Sequence, residues 1–555
     1  MNEHQIPRQK KQGSLLQVLL TLYLLIMTGI QPLAFHHGYT DIGSVKLYLF
    51  YGSAALLLPV LVRMARDLFA GPVARRRHKR GESRRRPKAE SFLTGRVGKV
   101  WQELSRAEKL LLAFWALAGL ATLTSAYRYE AFWGNEGRCA GFFTITIDLL
   151  ILFTLGRRYR VSIWAWRIAL AAGCLVLTFG LADFFELDLF GIKQGLGTNL
   201  YNYTSTIGNA NFYSAYGGML SAVFCSFFVF TEDRKQALLH YLFMVWSFVC
   251  LAVCRSDNCF IAWGILLLLM PFALFQTRRG LRRYGVMGTT LLTVLLLVGR
   301  IRWHFRRTIP ALDGIMGFVW DKQNLLFLLC LACWAVTAAL YLWDYRTGRE
   351  DAEGYGWLLR IWHIVIPGGA ALLAILLAAG NLFGLAEHMG FLANYIRLDD
   401  AWGNARGYVW RVCLEDYMAL PFWRKLIGYG PDTFAVYSYF HHLKDSVEIY
   451  GRMYDSVHNE YLQYLFTNGA LGVTAYLAGL IAMIRVLIAP ADPRDGIRGR
   501  KYSLLRRSAG YAVLAYTAQA VVNINQAASG PFLWIWMGLG MSALRAGKAK
   551  TSKKN

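Results

Sequence analysis

Long runs of apolar residues recur along almost the whole chain, and they constrain its fold more than any other feature of the sequence. A helix needs roughly 17 to 25 mostly apolar residues to cross a bilayer. By that measure we predict about fourteen membrane spans, near residues 15–34, 45–62, 109–126, 139–156, 163–182, 207–230, 237–254, 259–275, 284–301, 324–343, 360–382, 460–489, 507–526 and 530–546. The predicted fold class is all-α, a polytopic transmembrane helical bundle.

Basic residues are concentrated in short segments between these apolar runs. The formal net charge is +26 over 555 residues. In a soluble protein such a charge would indicate nucleic-acid binding, but a charge confined to the loops of a membrane protein follows the positive-inside rule. With the N-terminus inside, the loops 63–108, 156–160, 278–283 and 494–507 and the tail 547–555 all fall on the cytoplasmic side. We therefore predict membrane lipid as a partner and no nucleic acid.

The same pattern divides the chain into three regions. Residues 1–108 are predicted to form two N-terminal spans and a basic cytoplasmic loop, residues 109–546 a larger membrane domain, and residues 547–555 a basic cytoplasmic tail. The cysteine pair Cys330 and Cys333 has a spacing that zinc sites use, but it lies inside an apolar run, where small packing residues are expected. The sequence thus predicts neither a metal site nor a cofactor.

Two predicted external loops break the positive-inside pattern. Residues 300–307 carry four arginines, and residues 383–459 form the longest predicted external segment, with helix patterns of its own. Arginines kept on the unfavoured side of a membrane indicate a function. These two loops are therefore expected to contain functional residues.

His458 lies at the end of the longer loop, directly before a predicted span. His458-Asn459 opens a short helix pattern, Asn468-Gly469 closes it, and an apolar run follows over residues 470–488. The polar face of that helix, with Gln463, is predicted to look into a wet cavity. Two interpretations of His458 remain open, an interfacial histidine satisfied by its neighbours and a functional base.

Arg406 lies earlier in the same loop. Residues 403–421 show a helix pattern that a proline ends, and the glycine-rich stretch 428–431 predicts a tight turn. Arg406 and Trp410 are four positions apart and therefore share a helix face. Arg406 either pairs with a carboxylate of Asp399–Asp400 or binds a ligand.

Arg255 lies in a turn between two predicted spans, and the turn is so short that this arginine must be at the membrane boundary. An arginine there needs an anion, which is either Asp257 or a ligand. Asn209 and Asn211 begin the preceding span on the same predicted side. Arg138, in a glycine-rich segment, is also predicted to lie outside.

In their order along the chain, these segments resemble the O-antigen ligase and O-antigen polymerase superfamily. The similar elements are Gly-x-x-x-Arg-x-x-Gly at 134–141, Gly-Asn-x-Asn at 208–211, a Ser-Arg-Gly/Ser element at 254–256, Arg-x-x-x-Trp at 406–410, Gly-x-Gly-Pro at 428–431, and His-Asn with a later Asn-Gly at 458–472. Cys254 replaces the usual serine, and Ala210 stands where proline is common. The resemblance covers roughly residues 110–545 and is strongest over 200–275 and 403–475.

The resemblance implies a GT-C-like, metal-independent glycosyltransferase with its active site at the outer face of the bacterial cytoplasmic membrane. The donor would be a polyprenyl-diphosphate-linked glycan, and the acceptor a hydroxyl group of a glycan, lipid or protein. Catalytic roles would fall to His458, Arg406 and Arg255. Substrate-binding roles would fall to the residues that match the other motifs or flank these three, namely Arg138, Asn209, Asn211, Trp410, Arg411 and Asn459.

The chemistry of these residue types suits such a reaction. A guanidinium group can bind a diphosphate through two parallel hydrogen bonds, and a neutral histidine can accept the proton of an attacking hydroxyl. The alternative function is a transporter or flippase of polysaccharide or lipid-linked glycan, which would use mid-membrane charges in repeated halves. We find no internal repeat, which favours the enzyme. The sequence leaves open the choice between ligase and polymerase, and the oligomeric state.

Overall fold

The computed structural model describes residues 8–39, 41–69, 98–193, 204–307, 314–348, 354–491 and 496–551. Within these residues the regular structure is helical, with no strand. The helices are α1 (Arg8–Leu25), α2 (Ile42–Ala54), α3 (Leu58–Phe69), α4 (Arg106–Thr124), α5 (Arg128–Trp133), α6 (Phe142–Arg158), α7 (Ile163–Phe184), α8 (Ala210–Phe230), α9 (Arg234–Ala252), α10 (Asn258–Leu269), α11 (Pro271–Leu274), α12 (Arg278–His304), α13 (Gly314–Asp321), α14 (Gln323–Thr347), α15 (Gly356–Leu382), α16 (Ala393–Ile396), α17 (Trp402–Ala419), α18 (Phe422–Ile427), α19 (Phe434–Tyr450), α20 (Glu460–Ile488), α21 (Ile497–Gln519) and α22 (Gly530–Thr551).

The all-α prediction is confirmed for the described part of the chain. Nine helical stretches there are long and apolar enough to cross a membrane, namely Ile42–Asp67 and the helices α4, α7, α8, α9, α12, α14, α15 and α20. Each of the fourteen predicted runs coincides with a helix, but the others are shorter or more polar; α6, for example, has 17 residues. The apolar helices identify a helical membrane protein, and the number of fourteen spans stays a prediction.

Helix α8 is at the centre of the bundle. In its most apolar window 94% of the residues are buried, against none in the corresponding window of α15, which is a peripheral helix. Small residues allow neighbouring helices to approach α8 closely. A methyl group added at Gly218 would lie 3.0 Å from Ala262 and 3.1 Å from Gln519. The residues that begin and end α8 are therefore held firmly.

One end of the bundle, which we call the basic end, gathers segments predicted to be cytoplasmic. Residues 70–97, 492–495 and 552–555 of the predicted cytoplasmic segments lie outside the described residues, and α22 extends to Thr551. The helix ends at the basic end are joined by salt bridges between Arg158 and Asp67 (2.8 Å), Arg545 and Glu108 (2.8 Å), and Arg278 and Asp344 (2.6 Å).

The opposite end, which we call the site end, gathers segments predicted to be external. The long segment 383–459 lies here and forms the helices α16 to α19, as its helix patterns predicted. It has its own hydrophobic cluster, separate from the bundle core, formed by Ala405, Tyr408, Val409, Val412, Cys413, Leu420, Phe434, Tyr454, Val457 and Phe466. Because Val457 and Phe466 flank the first turns of α20, this cluster fixes the loop that carries His458.

Candidate active site at the site end of the bundle

His458 lies in the loop that leads into α20. Its backbone adopts the left-handed conformation, with φ of 53°, which is uncommon for residues other than glycine, although histidine adopts it more often than most. The preceding residue, Val457, is fixed on both sides: its carbonyl accepts from Trp410 Nε1 at 3.0 Å, and its N–H donates to Gln463 Oε1 at 2.9 Å. The structure therefore assigns Trp410 and Gln463 to positioning the His458 loop.

Asn459 begins the helix after His458. Its side-chain oxygen accepts from the N–H groups of Tyr461 and Leu462, at 3.0 and 3.1 Å, and so caps α20. The imidazole of His458 makes no hydrogen bond within the part of the chain that the structure describes. The interpretation of His458 as a histidine satisfied by its neighbours is therefore not supported.

Arg138 and Asp455 form a salt bridge next to His458. Arg138 donates from Nε to Oδ2 of Asp455 at 3.0 Å and from a terminal nitrogen to Oδ1 at 2.6 Å. Burial opposes ionisation of Asp455, but the hydrogen bond and the charge of Arg138 outweigh it and lower its pKa below the usual range. The pair joins the segment after α5 to the His458 loop.

Asp432 fixes the segment that carries Arg138. One oxygen of its buried carboxylate accepts from the N–H groups of Asn135 at 2.7 Å and Ala140 at 3.0 Å. Burial raises the pKa of Asp432 to about 6, although both hydrogen bonds oppose this shift. Asp432, which the sequence analysis did not identify, thus determines where Arg138 lies.

Arg406 is the first residue of α17 after a kink, which Gly403, Asn404 and Ala405 form with positive φ. Its guanidinium group has no hydrogen bond or salt bridge with any residue that the structure describes. The predicted alternative, a pair with Asp399–Asp400, is wrong. Those two carboxylates bind Arg397 and Arg411 instead, each at 2.7 Å.

Arg406 is half-buried, and a buried cation without an adjacent anion is unfavourable. Burial lowers its pKa, and the carboxylate of Asp257 opposes this shift from a distance. Asp257 itself accepts from the Tyr395 hydroxyl at 2.8 Å and from the N–H of Ile315 at 3.0 Å. Because Asp257 is hydrogen-bonded to these two groups, the guanidinium group of Arg406 is available to bind an anion.

The turn that carries Arg255 is next to Asp257 and therefore close to Arg406. Arg255 has a positive φ of 56°. Asn209 caps α8 by accepting from the N–H of Asn211 at 2.8 Å, and the side chain of Asn211 accepts from Ser256 Oγ at 2.8 Å. Asn209 and Asn211 therefore position the Arg255 turn. A direct approach of Arg255 to Arg406 stays a prediction.

The charges around His458 act on one another. Burial, followed by the positive charges of Arg138 and Arg406, lowers the pKa of His458 to about 4, and the negative charge of Asp455 opposes this shift. The imidazole is thus neutral at pH 7. Arg138 reaches the His458 loop through Asp455, and the helix that carries Arg406 reaches it through Trp410, so the three residues share one site although they come from three distant segments.

Two backbone hydrogen bonds join the glycine-rich turn at 428–431 to the first turns of α20. Tyr429 and Gly430 donate from their N–H groups to the carbonyls of Phe466 and Thr467, at 3.0 and 2.8 Å. Gly469, where the sequence predicted the end of a short helix, has φ of 70° and forms a kink within α20. The predicted break is therefore confirmed, as a kink that separates two helical segments of α20.

Arg411 and two arginines of the 300–307 segment contact neighbouring side chains of the protein. Arg411 forms salt bridges with Asp400 at 2.7 Å and Glu415 at 3.1 Å, so its substrate-binding role stays a prediction without local support. In the 300–307 segment, Arg302 and Arg306 stack on the rings of Trp320 and Trp303. Both groups are at the site end, and the Nε atom of Arg302 is buried without a hydrogen-bond partner.

The acidic residues of the site have no recognisable local signal in the sequence. Asp455 lies three residues before His458, but its partner Arg138 is 317 positions away, and no local pattern shows such a pair. Among the described residues, no group of three or more His, Cys, Asp and Glu side chains could bind a metal ion. No protein-family model matches the sequence, and no curated protein matches it significantly. The function is therefore inferred from the geometry of the site.

Proposed function

We propose that the chain is a membrane glycosyltransferase of the O-antigen ligase or polymerase type. It transfers a glycan from a polyprenyl-diphosphate donor to an acceptor hydroxyl at the outer face of the bacterial cytoplasmic membrane. The observation that carries this proposal is the presence in one site of a neutral His458 without a hydrogen bond and of Arg406, a half-buried cation without an adjacent anion among the described residues. The proposal includes fourteen spans in a GT-C-like arrangement, with the site end outside.

Arg406 is the principal diphosphate-binding residue in this proposal. A diphosphate would offset the cost of burying its charge and would accept two parallel hydrogen bonds from the guanidinium group. Arg138 contributes less, because Asp455 already neutralises it. Arg255 approaches from the turn that Asn211 positions. Donor binding is therefore expected to depend on Arg406 more than on Arg138.

The proposed reaction is a single displacement. The acceptor oxygen forms a bond to the anomeric carbon while the bond from that carbon to the diphosphate oxygen breaks. The diphosphate leaves with the bonding electron pair, and the hydroxyl proton moves to His458. Because the attack comes from the face opposite to the leaving group, the anomeric configuration inverts.

Donor binding would also make His458 a better base. Without an anion, the charges of Arg138 and Arg406 contribute to its pKa of about 4. A bound diphosphate would compensate those charges and raise the pKa towards neutrality, where a general base is most effective. The histidine would thus gain basicity only when the donor is in place.

The experiment that tests the proposal uses the full chain in proteoliposomes with a polyprenyl-diphosphate-linked glycan and an acceptor. We expect a new covalent glycan product together with free polyprenyl diphosphate. Arg406→Gln should weaken donor binding by about 10- to 100-fold, the worth of hydrogen bonds to a charged group. Lys444→Gln, an exposed charge change in the same segment, is the control. Movement of the donor across the bilayer without a covalent product would identify a flippase and overturn the proposal.

A further inference from the structure

A cavity of about 790 Å³ lies at the basic end of the bundle. It is bounded by the end of α8, the starts of α9 and α12, the end of α11 and the first turns of α21. Its volume is within the range of small-molecule sites, roughly 300–1,000 Å³. Because α8 has 21 residues and each adds about 1.5 Å, the cavity lies about 30 Å from the site end. It is separate from the proposed glycan site and independent of it.

The polar lining of this cavity is predominantly cationic. Four basic side chains line it, namely Arg279, Arg500, Lys501 and Arg507, against the two carboxylates Glu232 and Asp233. Glu232 binds Arg500 at 2.6 Å and reaches Arg279 at 3.9 Å. Asp233 accepts from the N–H of Gln236 and caps α9. The carboxylates therefore leave an excess of positive charge in the cavity.

Arg507 is a half-buried cation of this lining, with the hydroxyl of Tyr511 beside it. Its guanidinium group stacks on the ring of Phe230 at 3.5 Å. The Nε atom is buried without a hydrogen-bond partner, and no carboxylate among the described residues forms a salt bridge with this side chain. Because Arg507 lines the cavity and no described carboxylate neutralises it, its positive charge favours an anion bound there.

The rest of the lining is apolar. Phe227, Phe230, Leu274 and Leu504 line the same cavity, and they lie where apolar helices end, which is the depth of lipid headgroups. A soluble anion would leave these apolar side chains without a partner. A ligand with a phosphate group and a hydrocarbon chain matches both parts of the lining.

We propose that this cavity binds an anionic phospholipid, with the phosphate near Arg507 and Lys501 and an acyl chain against Phe227 and Leu274. The test uses the purified full chain in detergent. Binding of phosphatidylglycerol and of phosphatidylcholine is measured by native mass spectrometry, with inorganic phosphate as a competitor. We expect preference for phosphatidylglycerol and no displacement by phosphate at equal concentration.

Substitutions distinguish lipid binding in this cavity from attraction of the lipid to exposed charges elsewhere on the protein. Arg507→Gln should weaken phosphatidylglycerol binding by at least about tenfold, the loss of one charge-assisted hydrogen bond. Lys235→Gln, an exposed charge change in the first turn of α9, should have no effect. If Arg507→Gln does not fold, Ala273→Trp fills the cavity without changing its charge and should also reduce binding. Equal affinity for the two lipids, equal loss in the Lys235→Gln variant, or full displacement by free phosphate would overturn the proposal.

Discussion

Arg138 and Asp455 lie 317 positions apart in the sequence and form a two-point salt bridge, with contacts of 2.6 and 3.0 Å. This pair joins the glycine-rich segment after α5 to the loop three residues before His458. Asp432 fixes the other side of the same segment through two backbone hydrogen bonds. The position of His458 therefore depends on contacts between distant parts of the chain rather than on its own loop.

Asp455→Asn is expected to destabilise the site end by about 1 kcal/mol, because the lost pair is charged and well oriented but Asp455 is partly exposed. The measurement is the midpoint of thermal unfolding in detergent. Glu448→Gln is the control, since the Glu448–Lys444 pair is long, at 4.0 Å, and exposed. If both substitutions shift the midpoint equally, the Arg138–Asp455 pair does not contribute to stability.

The pH dependence of kcat/KM is expected to have its acid limb well below pH 6.5. The limb reports His458 in the free enzyme, and its pKa of about 4 keeps the base neutral and active down to that region. Arg406→Gln removes a positive charge that lowers this pKa, so the limb should move to higher pH. Rates between pH 4 and 8, with Lys444→Gln as the control, provide the test. An unchanged limb in the Arg406→Gln variant would refute the electrostatic coupling.

Asp432→Ala is expected to cost about 1–3 kcal/mol of stability, because two backbone N–H groups lose their acceptor. Asp432→Asn retains an acceptor and should cost much less at pH 7. Burial raises the pKa of Asp432 to about 6 from 3.8 in the unfolded chain, so the folded state binds more protons between these values and stability falls as pH rises through them. Unfolding measured from pH 4 to 8 should show this fall in the wild type. Its persistence in the Asn variant would contradict the assignment.

Gly428→Ala is expected to destabilise the protein more than Gly451→Ala. Both glycines have positive φ, but a methyl group at Gly428 would lie 2.3 Å from the carbonyl oxygen of Thr467, whereas none of the neighbours of Gly451 lies within 4 Å. Backbone strain alone costs roughly 1–2 kcal/mol, and the clash adds to it only at Gly428. The measurement is the midpoint of thermal unfolding of the two variants. Similar losses would show that the turn at 428–431 adapts to the added methyl group.

Local patterns in the sequence were sufficient to predict the helices and several of their ends. The fourteen apolar runs coincide with helices, Asn459 caps α20, the helix pattern before Pro421 ends as α17, and Gly469 interrupts α20. Each of these features depends on residues within a few positions of one another. Local spacing and backbone preference therefore determine them.

The pairing of charges could not be predicted in the same way. Asp399–Asp400 lies close to Arg406 in sequence, but these carboxylates face Arg397 and Arg411. The polar face of α20 was predicted to line a wet cavity. Gln463 does line a small cavity with room for about one water molecule, yet its side-chain oxygen binds the N–H of Val457. Such partners are determined by how segments pack, which the sequence does not show directly.

The rate of glycan transfer by the His458→Gln variant tests the central claim most directly. Glutamine retains similar hydrogen-bonding capacity but cannot accept a proton at neutral pH, so the rate should fall by about 10²- to 10⁴-fold while donor binding and folding persist. His441→Gln, at an exposed histidine of the same segment 383–459, should retain the wild-type rate. Near-normal transfer by His458→Gln would contradict the account, because the histidine would then only position the acceptor or the loop.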